Sequence, residues 1–298
     1  MNKSMYKKRV VRIGSRESAL AVAQAQLLIE YIRENCADIE PQLITMKTTG
    51  DRILDRTLDQ VGGKGLFVKE LELALREQRI DLCVHSLKDV PMELAEDLPI
   101  IGCSRREDVR DVLVLPQKAT QWDRSRPVGT SSRRRAQQLE RLFPDIVCAP
   151  VRGNVQTRLK KLDQGDYGAL ILAAAGLRRL GLEERISRYF EPEELLPAGG
   201  QGILALQGRA GEDYHFLDGF FDADSMVAAE AERAFLRELD GGCSSPVAAY
   251  ARVNGQQLIL EGYCDTYDGS FARERASGSR TQAAQTGIGL ARYMRDGL

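Results

Sequence analysis

Histidine, tryptophan and paired cysteine are scarce in this chain of 298 residues, and each scarcity removes a class of function. Only two histidines occur, His85 and His215, and neither has a His or Cys neighbour at metal-ligand spacing, which argues against a zinc hydrolase. Six cysteines (Cys36, Cys83, Cys103, Cys148, Cys243 and Cys264) form no C-x-x-C pair. They read as reduced thiols in an intracellular, cytoplasmic protein, each packed or reactive. No run of about 18 apolar residues suggests a membrane span, and the basic start MNKSMYKKRVVRIGSRE leads into no apolar signal core. Aromatics make up only 6%, and Lys+Arg (42) nearly cancel Asp+Glu (43). A global field for nucleic acid or membrane is therefore missing, and any basic site must come from local clustering. The length suggests two or three domains at ~100–200 residues each, and 43% apolar with 29% charged residues is ordinary for a soluble globular chain.

Short apolar runs alternate with amphipathic ones. Val10–Ile13 predicts a strand and Ser18–Glu34 a helix with Ser18 as its cap. Leu43–Lys47 predicts a strand, and Thr48–Leu66 is polar with weak periodicity. Phe67–Glu77 predicts a helix with Val68, Leu71 and Leu75 on one face, and Leu82–His85 a further strand. The pattern then restarts, with strands at Asp111–Leu115 and Val128–Gly129 and a helix at Ser132–Phe143 whose Ala136, Leu139 and Leu142 face inward. A strand at Ile146–Ala149, a helix at Val155–Asp163 (Val155, Leu159 and Leu162 inward), a strand at Ala169–Leu172 and a helix near Ala175–Leu180 follow. Such alternation predicts two α/β units. The Gly-rich Pro197–Gly202 reads as a crossing back to the first unit, where Ile203–Leu206 adds a strand. After Asp222 the character changes: a helix at Ser225–Leu239 stops at Gly241-Gly242, and Val247–Val253 and Gln257–Tyr263 flank the hairpin signal Asn254-Gly255. With a third strand at Ser270–Ala276 and a helix at Thr281–Met294, this is a small α+β domain.

The basic helix starts call for a chemical explanation. GTSSRRR (Gly129–Arg135) puts a Ser cap and three arginines at a strand-to-helix junction. Cations there are disfavoured by ~0.3–1 kcal/mol each, and an anionic ligand would reverse that sign. VRGNVQTRLKKL repeats the design with Arg152 and Arg158, and AAAGLRRLG brings Arg178 and Arg179 after the next strand. Ligands of open α/β sheets bind beyond the carboxyl ends of strands. The first unit brings Arg16 and Ser18 after one strand, and Ser86, Lys88 and Asp89 after another. Two basic edges facing each other would make a cleft for a polyanion, with Arg suited to bidentate carboxylate binding. Solvated arginines and surface salt bridges are the bland alternative, above all for Arg133 and Arg178, which break the spacing. Asp89 is either a counter-ion or a group that binds a ligand N–H and stabilises positive charge developing there. LDGGCSSP places Cys243 in an accessible loop between small residues, although a packed thiol is the commoner fate of a free cysteine.

Taken in order, IGSRESALAVAQ, KTTGDRILDRTLDQVGGKGLFVKELE, VHSLKDVP, GTSSRRRAQQL, VRGNVQTRLKKL, LAAAGLRRLGL, PAGGQGILALQ and AERAFLRELDGGCSSP closely resemble the porphobilinogen deaminase family, from about Val10 to Pro246 with a compatible tail. The resemblance implies two periplasmic-binding-protein-like α/β domains flanking a cleft and a small C-terminal α+β domain with a three-stranded antiparallel sheet. The implied boundaries are 8–104 with 201–220, 105–200, and 221–298. It implies a monomeric transferase that carries a dipyrromethane cofactor as a thioether on Cys243. Four porphobilinogen units are condensed head to tail with release of ammonia, and hydrolysis then frees hydroxymethylbilane. Carried over residue by residue, Asp89 is catalytic and contacts the pyrrole nitrogens, and Lys88, Ser132, Arg134 and Arg135 hold cofactor acetate and propionate groups. Arg16, Ser18, Phe67, Arg152, Arg158 and Arg179 bind substrate or the growing chain, and a mobile loop at about 49–63 covers the cleft. No metal is implied.

This chain departs from the family pattern at Arg133 (usually apolar), Gly168 (usually acidic) and Gln207-Gly208 (usually Glu-Cys), which puts local packing in question more than the reaction. Two other classes compete. A solute-binding or regulatory protein on the same two-lobed fold would need neither Cys243 nor Asp89. Nucleic-acid binding through Arg133–Arg135 would be strongly salt-dependent and is opposed by the near-neutral charge.

Overall fold

The computed structural model describes residues 8–52, 68–240, 246–265 and 270–297. Cys243, Phe67 and the 49–63 loop beyond its first helical turn lie outside the described residues.

The first unit opens with β1 (Arg9–Arg16), α1 (Ala19–Asn35), β2 (Ile39–Met46), the single turn α2 (Thr49–Arg52), α3 (Lys69–Arg76), β3 (Leu82–Ser86) and β4 (Ile100–Cys103). Ser18 caps α1 by accepting from the Ala21 N–H. The helix lays Ala25, Leu28, Ile29 and Ile32 against Val11, Ile13, Leu82 and Val84 of the sheet. Full burial of each such Leu or Ile is worth ~1.5–3 kcal/mol. The second unit contains β5 (Asp111–Val114), β6 (Val128–Gly129), α4 (Arg133–Leu142), β7 (Cys148–Ala149), α5 (Val155–Asp163), β8 (Ala169–Ala173), α6 (Ala174–Arg179) and β9 (Arg188–Phe190). Then come β10 (Leu204–Gly208), α7 (Ala223–Glu238), β11 (Val247–Asn254), β12 (Gln257–Asp265), β13 (Phe271–Ser279) and α8 (Ala283–Gly297).

The first sheet runs β2-β1-β3-β10-β4 and the second β7-β6-β8-β5-β9. Each has three parallel strands and then one antiparallel strand that arrives from the other unit: β10 lies between β3 and β4, and β5 between β8 and β9. The chain crosses at 104–110 and returns at 191–203, and the crossings touch where the Glu107 N–H donates to the Gly202 carbonyl at 3.1 Å. The third sheet, β11-β12-β13, is antiparallel and packs on α7 and α8 through Ala231, Phe235, Leu258, Leu260, Leu290 and Met294. Its hairpin turns at Asn254-Gly255, where Gly255 has φ +58°. Among the described residues no helix is long and apolar enough to cross a membrane.

Four details differ from the sequence reading. The strands β4 and β9 were not anticipated, and the strand expected at Ile146–Ala149 is confined to Cys148–Ala149. Leu142, expected inward, is 38% exposed; the buried stripe of α4 is Arg134, Arg135, Gln138 and Leu139, so polar side chains occupy most of that face. Val155 and Ala136, both expected inward, are only partly buried. The departure at Gly168 has a packing reason, because a Cβ there would lie 2.2 Å from the Asp123 carbonyl oxygen.

Candidate active site at the facing sheet edges

The strands β6, β7 and β8 are parallel neighbours, so α4, α5 and α6 all begin along one edge of the second sheet. Ser132 caps α4 by accepting from the Arg135 N–H, and Asn154 caps α5 by accepting from the Thr157 N–H. On the first sheet β1 and β3 are likewise parallel neighbours, and Arg16 and the segment Ser86–Asp89 leave from their shared edge.

At the centre of the second edge is a residue that sequence reasoning passed over. Asp111, fully buried at the head of β5, lies 2.8 Å from Arg134 and 2.6 Å from Arg135. Burial pushes its carboxyl pKa up, but the Arg134 and Arg135 charges overrule this and hold it well below the usual carboxylate range. Arg134 also donates to the Leu196 carbonyl at 2.6 Å and Arg135 to the Ile171 carbonyl at 3.2 Å. Much of the anion that the RRR motif demands is thus internal. Desolvation lowers the Arg134 pKa in spite of Asp111, and one carboxylate against two guanidiniums leaves the trio with a net positive charge.

The first edge meets this cluster through Gln201, fully buried in the returning crossing. Its Oε1 accepts from Lys88 Nζ at 3.2 Å, while its Nε2 donates to Asp111 at 2.9 Å and to the Val109 carbonyl at 2.8 Å. Burial, then the Arg135 charge, draws the Lys88 ammonium down to about 8, with Asp89 and Asp111 opposing. Asp89 itself is exposed. Its charge reaches across to Arg158, whose pKa falls to about 10 through burial and the nearby Arg135, Asp89 pulling the other way. Arg152 belongs to the same neighbourhood. Arg158 donates to the Gly153 carbonyl at 2.8 Å and Arg179 to the Gly202 carbonyl at 2.6 Å. Among the described residues neither has a carboxylate at ion-pair distance, and burial lowers Arg179 to about 10 as well. Arg16 and Asp89 both act on buried His85, whose pKa desolvation takes down to about 4. His85 Nε2 meets Gln207 Oε1 at 3.0 Å, so one of the departing residues packs directly behind this edge. Ser18 serves as the α1 cap and keeps a hydroxyl hydrogen to donate. The structure therefore brings Lys88, Asp89, Arg134, Arg135, Arg152 and Arg158 together, with Arg16 and Asp89 both near His85 and Arg179 reaching from α6 to the returning crossing.

The described residues on either side of 241–245, the stretch that contains Cys243, are anchored. On one side α7 grips the stretch just after Asp89: Arg233 donates to the carbonyls of Val90 (3.3 Å), Pro91 (2.5 Å) and Met92 (3.1 Å), and Arg237 to Met92 (3.1 Å). On the other side the Asp265 N–H donates to the Pro246 carbonyl at 3.2 Å. The base of α7 is fixed by Glu232, which is fully buried and accepts from Arg106 (2.7 Å), Gly200 N (2.6 Å) and Ala251 N (2.7 Å). Asp111, Gln201, Glu232 and Arg233 were all missed from sequence. The usable signals were a carboxylate heading an apolar strand and an acidic residue on an Ala-rich helix face.

Comparison with known proteins fits this arrangement. The family model described as porphobilinogen deaminase, dipyromethane cofactor binding domain, matches residues 11–216, and that of the porphobilinogen deaminase C-terminal domain matches residues 226–296. The porphobilinogen deaminase of Ruminiclostridium josui is 52% identical over 286 residues, covering 96% of this chain and 97% of the relative. That of Ruminiclostridium cellulolyticum is 53% identical (95% and 97% covered), and that of Acetivibrio thermocellus 50% (96% and 98%).

Proposed function

The chain belongs to the porphobilinogen deaminase family, and from that premise we propose how its residues divide the work. The enzyme is a transferase that condenses four porphobilinogen units with loss of ammonia and releases hydroxymethylbilane by hydrolysis. The three sheets support domains of 8–104 with 201–220, 105–200, and 221–298. We assign it to the cytoplasm as a monomer whose partners are porphobilinogen and the growing oligopyrrole.

The residues present fit a dipyrromethane. Its acetate and propionate groups need desolvated cations in excess of their internal counter-ions, and Lys88 with the Arg134–Arg135 pair, two guanidiniums on the single carboxylate of Asp111, supply them beside the Ser132 hydroxyl. Cys243 would hold the group as a thioether. When bound, the group supplies the nucleophilic ring carbon on which the chain is extended. Asp89 accepts the N–H of the reacting pyrrole ring, stabilises positive charge developing there, and moves the proton that accompanies ammonia loss. Arg158 and Arg179 hold carboxylates of added rings, since their guanidiniums carry unspent donors at the edge of the cleft. Arg16, Ser18 and Arg152 extend that surface, and we assign Phe67 to the incoming ring from its match to the family motif alone.

One observation carries the reading: the described residues that flank the cysteine segment are tied on one side to the stretch after Asp89, through Arg233 and Arg237, and on the other to Asp265 of β12, which pairs with Arg141 of the arginine helix α4. Cys243 is three residues from Asp240 and three from Pro246, so each flank keeps it within ~10 Å. Intact-protein mass spectrometry is the test. A dipyrrole adduct is expected on the native protein and should vanish in Cys243→Ala. Asp89→Ala should fold and yet lose about 10²–10⁴-fold in turnover. Near-normal bilane formation by that variant would refute its role.

A further inference from the structure

The C-terminal sheet meets the second unit through a small buried polar cluster that the chemistry above does not use. Asp265, the last residue of β12, is 5% exposed and its side chain 1%. Its Oδ2 accepts two bonds of 2.6 Å, one from Arg141 Nη1 of α4 and one from the Tyr263 hydroxyl. Burial, and then the hydrogen bond to Asp265, raises the Tyr263 pKa, so this phenol stays neutral and donates. The Arg141 guanidinium lies 4.3 Å from the centroid of the Phe271 ring on β13.

The placement of this cluster is what matters. The backbone of Asp265 holds Pro246, the first described residue after the cysteine segment. Arg141 is six residues along α4 from Arg135, a rise of ~9 Å, and the helix is a rigid rod between the two. The arginine pair at the start of α4 and Pro246, the residue held by the Asp265 backbone, are therefore linked through the rigid helix and this ion pair, one of the contacts that join the C-terminal sheet to the second unit.

We propose that Arg141 and Asp265 are positioning residues that fix the register of the cysteine-tethered primer against the Arg134–Arg135 cluster. The proposal rests on the tethering role of Cys243. A misplacement of about 1 Å in such a site can cost about 10²-fold in rate.

The test compares Arg141→Gln, Arg141→Lys and the double variant R141Q/D265N as holoenzymes. The double variant removes the buried charge with its partner, so it separates positioning from folding. Mass spectrometry first confirms the primer; its absence from the native protein would refute the tethering role itself and with it this proposal. With the primer present, Arg141→Gln and the double variant should each lose about tenfold or more in kcat, with KM for porphobilinogen within about twofold of native. The double variant should melt close to the native protein, and Arg141→Lys should recover part of the rate. Native kcat in the double variant, or a rate loss that tracks only the fall in melting temperature across the three variants, would overturn the proposal.

Discussion

Replacing Asp111 by Asn tests whether the arginine pair is built for a ligand or only for the fold. In the native protein the buried carboxylate faces two buried guanidiniums at 2.8 and 2.6 Å. Asn keeps the shape and removes the charge, leaving two cations opposed only by carbonyl dipoles. Breaking a buried pair from one side typically costs about 3–5 kcal/mol. An unfolding entropy of ~2.1 cal/mol/K per residue over 298 residues amounts to ~0.6 kcal/mol/K, so the melting temperature should fall by about 5–8 °C. If the same guanidiniums also hold primer carboxylates, the primer should stand in for the lost charge. The experiment is a double-mutant cycle by calorimetry: Asp111→Asn in the primer-bearing protein and in a Cys243→Ala background. The loss should be smaller with the primer by about 1.5–3 kcal/mol, the scale of a hydrogen bond to a charged group. Equal losses in the two backgrounds would refute the idea that Arg134 and Arg135 reach the primer.

Two further predictions follow from desolvated groups. His85 is held neutral, its pKa lowered from 6.5 to about 4 by burial; the unfolded chain takes up the proton first, so about 3 kcal/mol of stability should be lost as pH falls from about 6.5 to 4. His85→Gln should flatten that limb of a melting-temperature profile, and an unchanged acid limb would contradict the assignment. Arg158→Ala removes a single described bond to a carbonyl, so stability should change by about 1 kcal/mol or less, while kcat/KM should drop about 10- to 100-fold if a substrate carboxylate is lost. A proportionate fall in both would make Arg158 a structural residue.

Much of the fold was legible because its signals are local. Ser18 and Asn154 act within three residues of themselves, so the starts of α1 and α5 could be placed from sequence, and Asn254-Gly255 marks its hairpin on its own. The site was legible as far as helix starts and strand ends carry it: the arginines do share an edge, and Arg178 proved a salt-bridge residue, paired with Glu107 at 3.0 Å and Glu183 at 2.9 Å. What stayed hidden depends on partners far along the chain. The strands β4 and β9 are four and three residues long and form against β10 and β5, which come from the opposite crossing. Asp111 finds its arginines 23 and 24 residues away and Gln201 finds Asp111 at 90, separations at which no periodicity operates. Glu232 is hidden for the same reason: its partner Arg106 is 126 residues away.

The double crossing also sets an order of assembly on the ribosome. Every strand of the second sheet lies between Asp111 and Phe190, whereas the first sheet must wait for β10, which ends at Gly208. Until that strand emerges, β3 and β4 each present a bare edge with no partner between them. The lobe begun first is thus completed only after its inserted neighbour has been synthesised, and the nascent chain must shelter those two open edges through about a hundred codons.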